Sequence, residues 1–151
     1  MSRPCIFVGS SSAARAQARA LIRALAEEPV DFLPWWEAFR PGRTLLEELD
    51  GLRQRVHGAL LVFAPESNST IRGKRQEIPN LNVLFEFGYF YGHFGRSRVA
   101  MLSYGDFYLP SDLGGYLHLN GSRSFRRGAA LKVSQRTLGE CRRWLQGLPA
   151  T

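Results

Sequence analysis

Glu86 is the one charged residue in the apolar run Asn82-Val83-Leu84-Phe85-Glu86-Phe87-Gly88-Tyr89-Phe90-Tyr91. Removing a carboxylate from water without a partner is costly or raises its pKa. Glu86 is therefore either a paired structural group or a carboxylate that faces a cleft and acts on a ligand. Two further groups carry chemistry. The turn Gly9-Ser10-Ser11-Ser12 leads into a helical pattern, where backbone N–H groups and hydroxyls suit a phosphate; its serines could equally serve as caps. The stretch holding Trp35, Trp36, Phe39 and Arg43 offers aromatic faces and a cation that could stack a base and neutralise a phosphate, or simply cover the sheet edge. There is no Walker lysine and no GxGxxG. His57, His93 and His118 lack ligand spacing, Cys5 and Cys141 stand at opposite ends without a CxxC, and no metal site is expected.

These groups must be positioned by one domain, spanning residues 1–151, with a hydrophobic content of 44% and a charged content of 22%. No apolar run approaches the ~20 residues that span a bilayer, and the N-terminus lacks a signal peptide's apolar segment. A reducing cytoplasm is the expected location, with no membrane partner. Six of the seven net positive charges fall in residues 120–151. That stretch reads as a solvated helix face with a basic loop, and nucleic acid ranks last among partners.

Along the chain, Ile6-Phe7-Val8 reads as a buried strand, and residues 13–28 as a helix with apolar positions at Ala14, Ala18, Leu21 and Leu25. Residues 30–33 are a second strand, followed by an aromatic loop over 34–42. Thr44-Leu45-Leu46-Glu47 fits a capping box, with Leu45, Leu46, Leu49, Leu52 and Val56 on the inner face of the helix it opens. Residues 58–64 form a continuous apolar strand suited to the centre of a parallel sheet. Residues 65–79 read as a polar, mobile surface loop. The Glu86 segment is a helix ending at Gly95, followed by a strand over 99–102, a turn over 109–115, a strand over 116–119 and a helix over 129–145.

Alternating strands and helices predict a flavodoxin-like, doubly wound α/β fold with a five-stranded parallel sheet. Ligands on such a sheet bind beyond the strand C-termini. Glu86 falls outside the capping-box position for a helix opened by Asn80 or Asn82. It shares a helical face with Tyr89, Phe90 and His93, opposite a core face of Val83, Phe87, Phe90 and Phe94. That arrangement puts Glu86 on a cleft wall.

The motifs Ile6-Phe7-Val8-Gly9-Ser10-Ser11, Pro41-Gly42-Arg43-Thr44-Leu45-Leu46-Glu47 and Ala59-Leu60-Leu61-Val62-Phe63-Ala64-Pro65 resemble bacterial TIR-like domains. Asn82-Val83-Leu84-Phe85-Glu86-Phe87-Gly88, Gly95-Arg96 and Leu109-Pro110-Ser111-Asp112-Leu113 complete a resemblance over about residues 5–119. The resemblance is to the branch found as effectors of cyclic-nucleotide antiviral systems, of TIR-STING or Pycsar TIR type. It implies cleavage of NAD, as substrate and with no cofactor, into nicotinamide and an ADP-ribose product. It also implies activation by self-association into oligomers or filaments, driven by a cyclic-nucleotide sensor domain or partner protein. By the same resemblance Glu86 is the catalytic carboxylate, Asp112 binds a ribose, Ser10 and Ser11 meet the pyrophosphate, and Trp36 and Arg43 border the pocket. The alternative is a non-catalytic TIR-like module that signals by assembly alone.

Overall fold

Two apolar runs, Cys5–Ser10 (β1) and Gly58–Phe63 (β3), form the middle of a parallel sheet, and every residue of β3 is buried. The computed structural model describes residues 3–113, 116, 118–129 and 132–149. Between the two central strands lie Arg15–Ala24 (α1), Asp31–Pro34 (β2), Trp35–Ala38 (α2) and Leu45–Leu52 (α3). After them come Pro65–Ile71 (β4), Lys74–Pro79 (β5), Leu81–Phe94 (α4), Val99–Ser103 (β6), Leu119–Asn120 (β7) and Gln135–Gln146 (α5). The main sheet has the order β2-β1-β3-β6-β7 with all pairs parallel. This is the expected five-stranded, flavodoxin-like sheet.

Alternation along the central strands divides the core in two. Ile6, Val8, Leu60, Val62 and Leu102 pack with Ala18 and Leu21 of α1 and Leu138 and Cys141 of α5. Phe7, Ala59, Leu61, Phe63 and Met101 pack with Leu49 and Leu52 of α3 and Val83, Phe87 and Phe90 of α4. The capping box at α3 forms as its spacing requires: Thr44 Oγ1 accepts the Glu47 N–H at 3.3 Å, and the Glu47 carboxylate accepts the Thr44 N–H at 2.8 Å. Leu46 departs from its expected inner face and is exposed.

Residues 65–79 are not a mobile loop but an antiparallel hairpin of β4 and β5. Its two-residue turn places Arg72 at φ 50° and Gly73 at φ 75°, both left-handed, which matches the twist of paired strands. Most hairpin residues are at least partly exposed, so the strands lack the apolar alternation that marks a half-buried pair. The aromatic loop contains the short helix α2. The fifth strand is confined to Leu119–Asn120, where it pairs with Leu102 and Ser103; Leu117 of the expected strand lies outside the described residues. The expected turn over 109–115 includes a single 3-10 turn at Ser111–Leu113, with Gly114 and Gly115 outside the described residues. α5 starts at Gln135 rather than at 129, because Ser134 caps it by accepting the Thr137 N–H at 3.1 Å. Ala130 and Leu131, in the stretch expected to be helical, lie outside the described residues.

Candidate functional site

The sheet order reverses between β1 and β3, so their C-terminal ends open the crevice in which doubly wound sheets hold ligands. Gly9 of β1 pairs with Leu61 of β3 at this point. α4 is laid across the same pair of strands by two aromatic contacts. Phe90 packs on Phe7 of β1 with ring centroids 5.1 Å apart, and Phe87 packs edge-on to Phe63 of β3 at 6.0 Å. The start of α4 is set by Asn80, whose Oδ1 accepts the Val83 N–H at 3.1 Å. Asn80 is thus the cap and Val83 holds the position three residues on where a capping-box acid would stand, so the capping role is closed to Glu86, as its spacing requires.

With α4 docked in this way, Glu86 is only 4% exposed. It points inward with Val83, Phe87 and Phe90, which corrects the expected division of the helix into a cleft face and an opposing core face. Tyr89 instead turns toward α3, where its hydroxyl donates to Asp50, and His93 is exposed. The Glu86 carboxylate reaches the backbone of Gly9: a Cβ at position 9 would lie 2.7 Å from Oε2. Among the described residues, Oε2 is buried without a hydrogen-bond partner and no ion pair includes Glu86. Burial pushes its pKa up to about 8, so the side chain is mostly protonated at neutral pH.

Next to Gly9, the hydroxyls of Ser10 and Ser11 are both buried and engaged. Ser10 Oγ accepts the Trp35 Nε1–H at 2.9 Å and donates to the Ser11 carbonyl at 2.9 Å. Ser11 Oγ accepts the Ala14 N–H at 3.2 Å, closing the turn into α1. Pro34 ends β2 and starts α2, which brings Trp35 to the same end of the sheet. The two adjacent indoles meet edge-on, with ring centroids 5.8 Å apart, but pack on different layers. Trp35 joins the core layer on the α4 side, whereas Trp36 packs against the α1 side and lies under the guanidinium groups of Arg15 and Arg19.

Arg43 stands just before α3, with its Nε 3.2 Å from Oε1 of Glu48; Arg40 approaches the same oxygen at 3.4 Å. Glu48 is 5% exposed, and neither contact has hydrogen-bond geometry, so the cluster is an ion-paired brace between the aromatic segment and α3. Asp112 lines a cavity of about 500 Å³ with Leu84, Phe87, Gly88, Tyr91 and Arg96. Of these, Leu84, Gly88 and Tyr91 lie on a different face of α4 from Glu86. The structure thus gathers Glu86, Ser10 and Ser11 around the end of β1 and adds Gly9 and Trp35. It sets Trp36 on the α1 side and Asp112 in the separate cavity.

Sequence reasoning named Trp35 only as one of the aromatics of its loop and Gly9 only as part of the serine turn, and it did not single out Glu48. Trp35 has the same residue type as its neighbour, and only the phase of a four-residue helix separates them. Gly9 could have been read as a close approach of another group to a strand. Among the described residues no group of three His, Cys, Asp or Glu could hold a metal ion, and no helix is long and apolar enough to cross a membrane.

The family model described as the TIR domain of the CAP12/Pycsar effector protein matches residues 5–122. The CD-NTase-associated protein 12 of a Lachnospiraceae bacterium is 34% identical over 108 residues, covering 72% of this chain and 34% of that protein. The Pycsar effector protein PaPycTIR of Pseudomonas aeruginosa is 33% identical over 113 residues, covering 73% of this chain and 37% of that protein. A CD-NTase-associated protein 12 from Sphingobacterium faecium is 30% identical over 110 residues, again covering 34% of its length. The matched part spans about a third of each of these relatives. The matched region contains both Gly9 and Glu86, and the chain belongs to the CAP12/Pycsar effector TIR-domain family.

Proposed function

We propose that this domain is an NAD glycohydrolase that releases nicotinamide and an ADP-ribose product. Its activity would be switched on by self-association in antiviral, antiphage defence. The single observation that carries the reading is Glu86, a buried carboxyl group with an unpartnered oxygen against the β1 backbone at the ligand end of the sheet. Carboxyl groups with strongly displaced pKa values in such crevices are candidates for chemistry.

Cleavage of the bond between nicotinamide and ribose develops positive charge on the ribose, as glycoside hydrolysis does. Water adds to the anomeric carbon, the bond electrons leave with neutral nicotinamide, and the water's proton is released. Nicotinamide departs from a ring that is already cationic, so no strong general acid is required. A single carboxylate beside the ribose can stabilise the transition state. Glu86 must be ionised for this task, and the cationic nicotinamide ring of bound NAD would favour its ionised form.

In this reading NAD is the substrate and no cofactor takes part. The partners are further copies of the domain and a cyclic-nucleotide sensor domain or partner protein, acting in the cytoplasm. The names of the relatives, CD-NTase-associated protein 12 and Pycsar effector protein, support the defence setting. The test is to incubate concentrated or artificially clustered protein with NAD and follow nicotinamide release. Turnover that survives Glu86→Ala sinks the reading.

A second reading is a module that assembles without catalysis. It is favoured by one feature of α4, which leaves Leu81, Phe85 and Tyr91 65%, 49% and 40% exposed. Oligomers that form yet leave NAD intact would select it.

A further inference from the structure

The Ser10 hydroxyl is committed on both sides, accepting from Trp35 and donating to the Ser11 carbonyl, while Ser11 Oγ accepts the Ala14 N–H and keeps its own proton to donate. A different side chain at the same end of the sheet carries an unspent charge. Arg15 is the first residue of α1, directly beyond the serine turn. Its guanidinium lies 5.6 Å from the ring centroid of Trp35 and 4.9 Å from that of Trp36. None of the ion pairs among the described residues includes it, and its Nε is buried without a hydrogen-bond partner.

Such a group calls for an explanation, because buried polar atoms are normally satisfied. A guanidinium seated against indoles keeps the N–H groups that point away from them, and such groups match phosphate oxygens two at a time. The indoles also fix the orientation of a side chain that would otherwise lose much freedom on binding. Trp35 ties this cation to the crevice, since the indole under Arg15 donates to Ser10, next to the glycine against which Glu86 rests.

We infer that Arg15, held by Trp35 and Trp36, is the diphosphate-binding residue of this site and sets its preference for a dinucleotide over a bare nucleoside. The inference rests on the proposed NAD reading for the identity of the ligand. It is independent of whether the carboxyl group turns that ligand over. Arg19 provides the internal control. One turn further along α1 it lies 5.3 Å from the centroid of Trp36, and it is exposed. It carries the same charge and touches one of the same indoles without facing Trp35.

The experiment titrates inorganic pyrophosphate and ADP-ribose into the wild-type chain and into Arg15→Met, Arg15→Lys and Arg19→Met. Binding is followed by calorimetry and indole fluorescence, after circular dichroism has shown each variant to be folded. Arg15→Met is expected to weaken both ligands by about tenfold, the loss of one charge-assisted contact. It should also flatten the salt dependence of binding. Arg15→Lys is expected to recover only part of the affinity, lacking the planar fork. Arg19→Met should stay within about twofold of wild type, as a surface change does. In clustered protein, Arg15→Met should raise the KM for NAD by about the same tenfold and leave kcat nearly unchanged. Pyrophosphate binding that is absent from the wild type, unaltered in Arg15→Met or equally lost in Arg19→Met overturns the inference. Arg15-dependent pyrophosphate binding without nicotinamide release overturns the NAD reading and leaves the inference standing.

Discussion

Gly9 and Glu86 occupy one another's space: the carboxylate Oε2 rests where a β-carbon on Gly9 would come within 2.7 Å. The strand residue is a glycine because a helix residue 77 positions later in the chain delivers its acid to the sheet at that spot. The same missing side chain also makes room for Leu61, whose Cδ1 would be 2.4 Å from the added carbon. Gly9→Ala is thus an overpacking change against both the core and the site. It should cost about 1–3 kcal/mol of stability and suppress nicotinamide release more than it destabilises. Urea denaturation and the NAD assay on the same preparation measure the two effects.

The protonation of Glu86 gives stability a pH slope of predictable sign. Its folded pKa of about 8 lies above the ordinary 4.5. Between those values the folded chain holds a proton that the unfolded chain has released. The contribution to stability is therefore complete below pH 4.5 and declines as pH rises through the window to about 8. Glu86→Gln, uncharged throughout, should be flatter over this range and more stable than wild type at its alkaline end. Urea midpoints collected across the window check both points.

The same group gives the activity its own profile. In clustered protein, nicotinamide release at low NAD should rise toward pH 8 as the carboxylate forms. Glu86→Gln should lower kcat by about a hundredfold or more, the scale of losing one pre-organised electrostatic contact. A flat profile in the wild type would mean that Glu86 is already ionised in the free, clustered protein.

Trp35→Phe keeps an aromatic body and deletes only the N–H that Ser10 accepts at 2.9 Å. Ser10 is buried, so its oxygen loses a donor that water cannot easily replace. The expected cost is about 1 kcal/mol, together with a reduced rate of NAD cleavage. Thermal melts and the nicotinamide assay read the two quantities.

The hairpin offers a change that should stay local. Gly73 adopts φ 75° in the two-residue turn, where an L side chain is strained by about 1 kcal/mol. Gly73→Ala should increase hydrogen exchange in β4 and β5 and leave protection in β1 and β3 intact.

Much of the fold was legible because its central strands are buried on both faces and its outer helices are amphipathic. The continuous run Ala59–Phe63 could only be an interior strand, and the spacing of Thr44 and Glu47 announced the start of α3. The hairpin was not legible, since Arg72-Gly73 lacks the usual Asn-Gly turn signature and its exposed strands carry no alternating pattern. The serines and Trp36 show the same limit at the site. Residue type suggested ligand donors and a stacking surface, but the Ser10 proton is spent on the Ser11 carbonyl, and Ser11 Oγ is drawn into the turn by the Ala14 N–H. Trp36 faces α1 because a helix turns each successive residue by ~100°.

By itself the sequence determined that Glu86 could be neither a helix cap nor an ordinary surface acid, because its neighbours are apolar and its spacing from Asn80 is wrong. It determined the parallel sheet as well, through the alternation of strand and helix patterns. Only the tertiary structure decided that Glu86 faces inward, since that depends on Phe87 and Phe90 docking on Phe63 and Phe7. It also decided that the carboxylate lands on Gly9 and that Arg15 sits against both indoles without an anion among the described residues. Periodicity fixes which residues share a face, whereas contacts between residues far apart in the chain are set by how those faces pack.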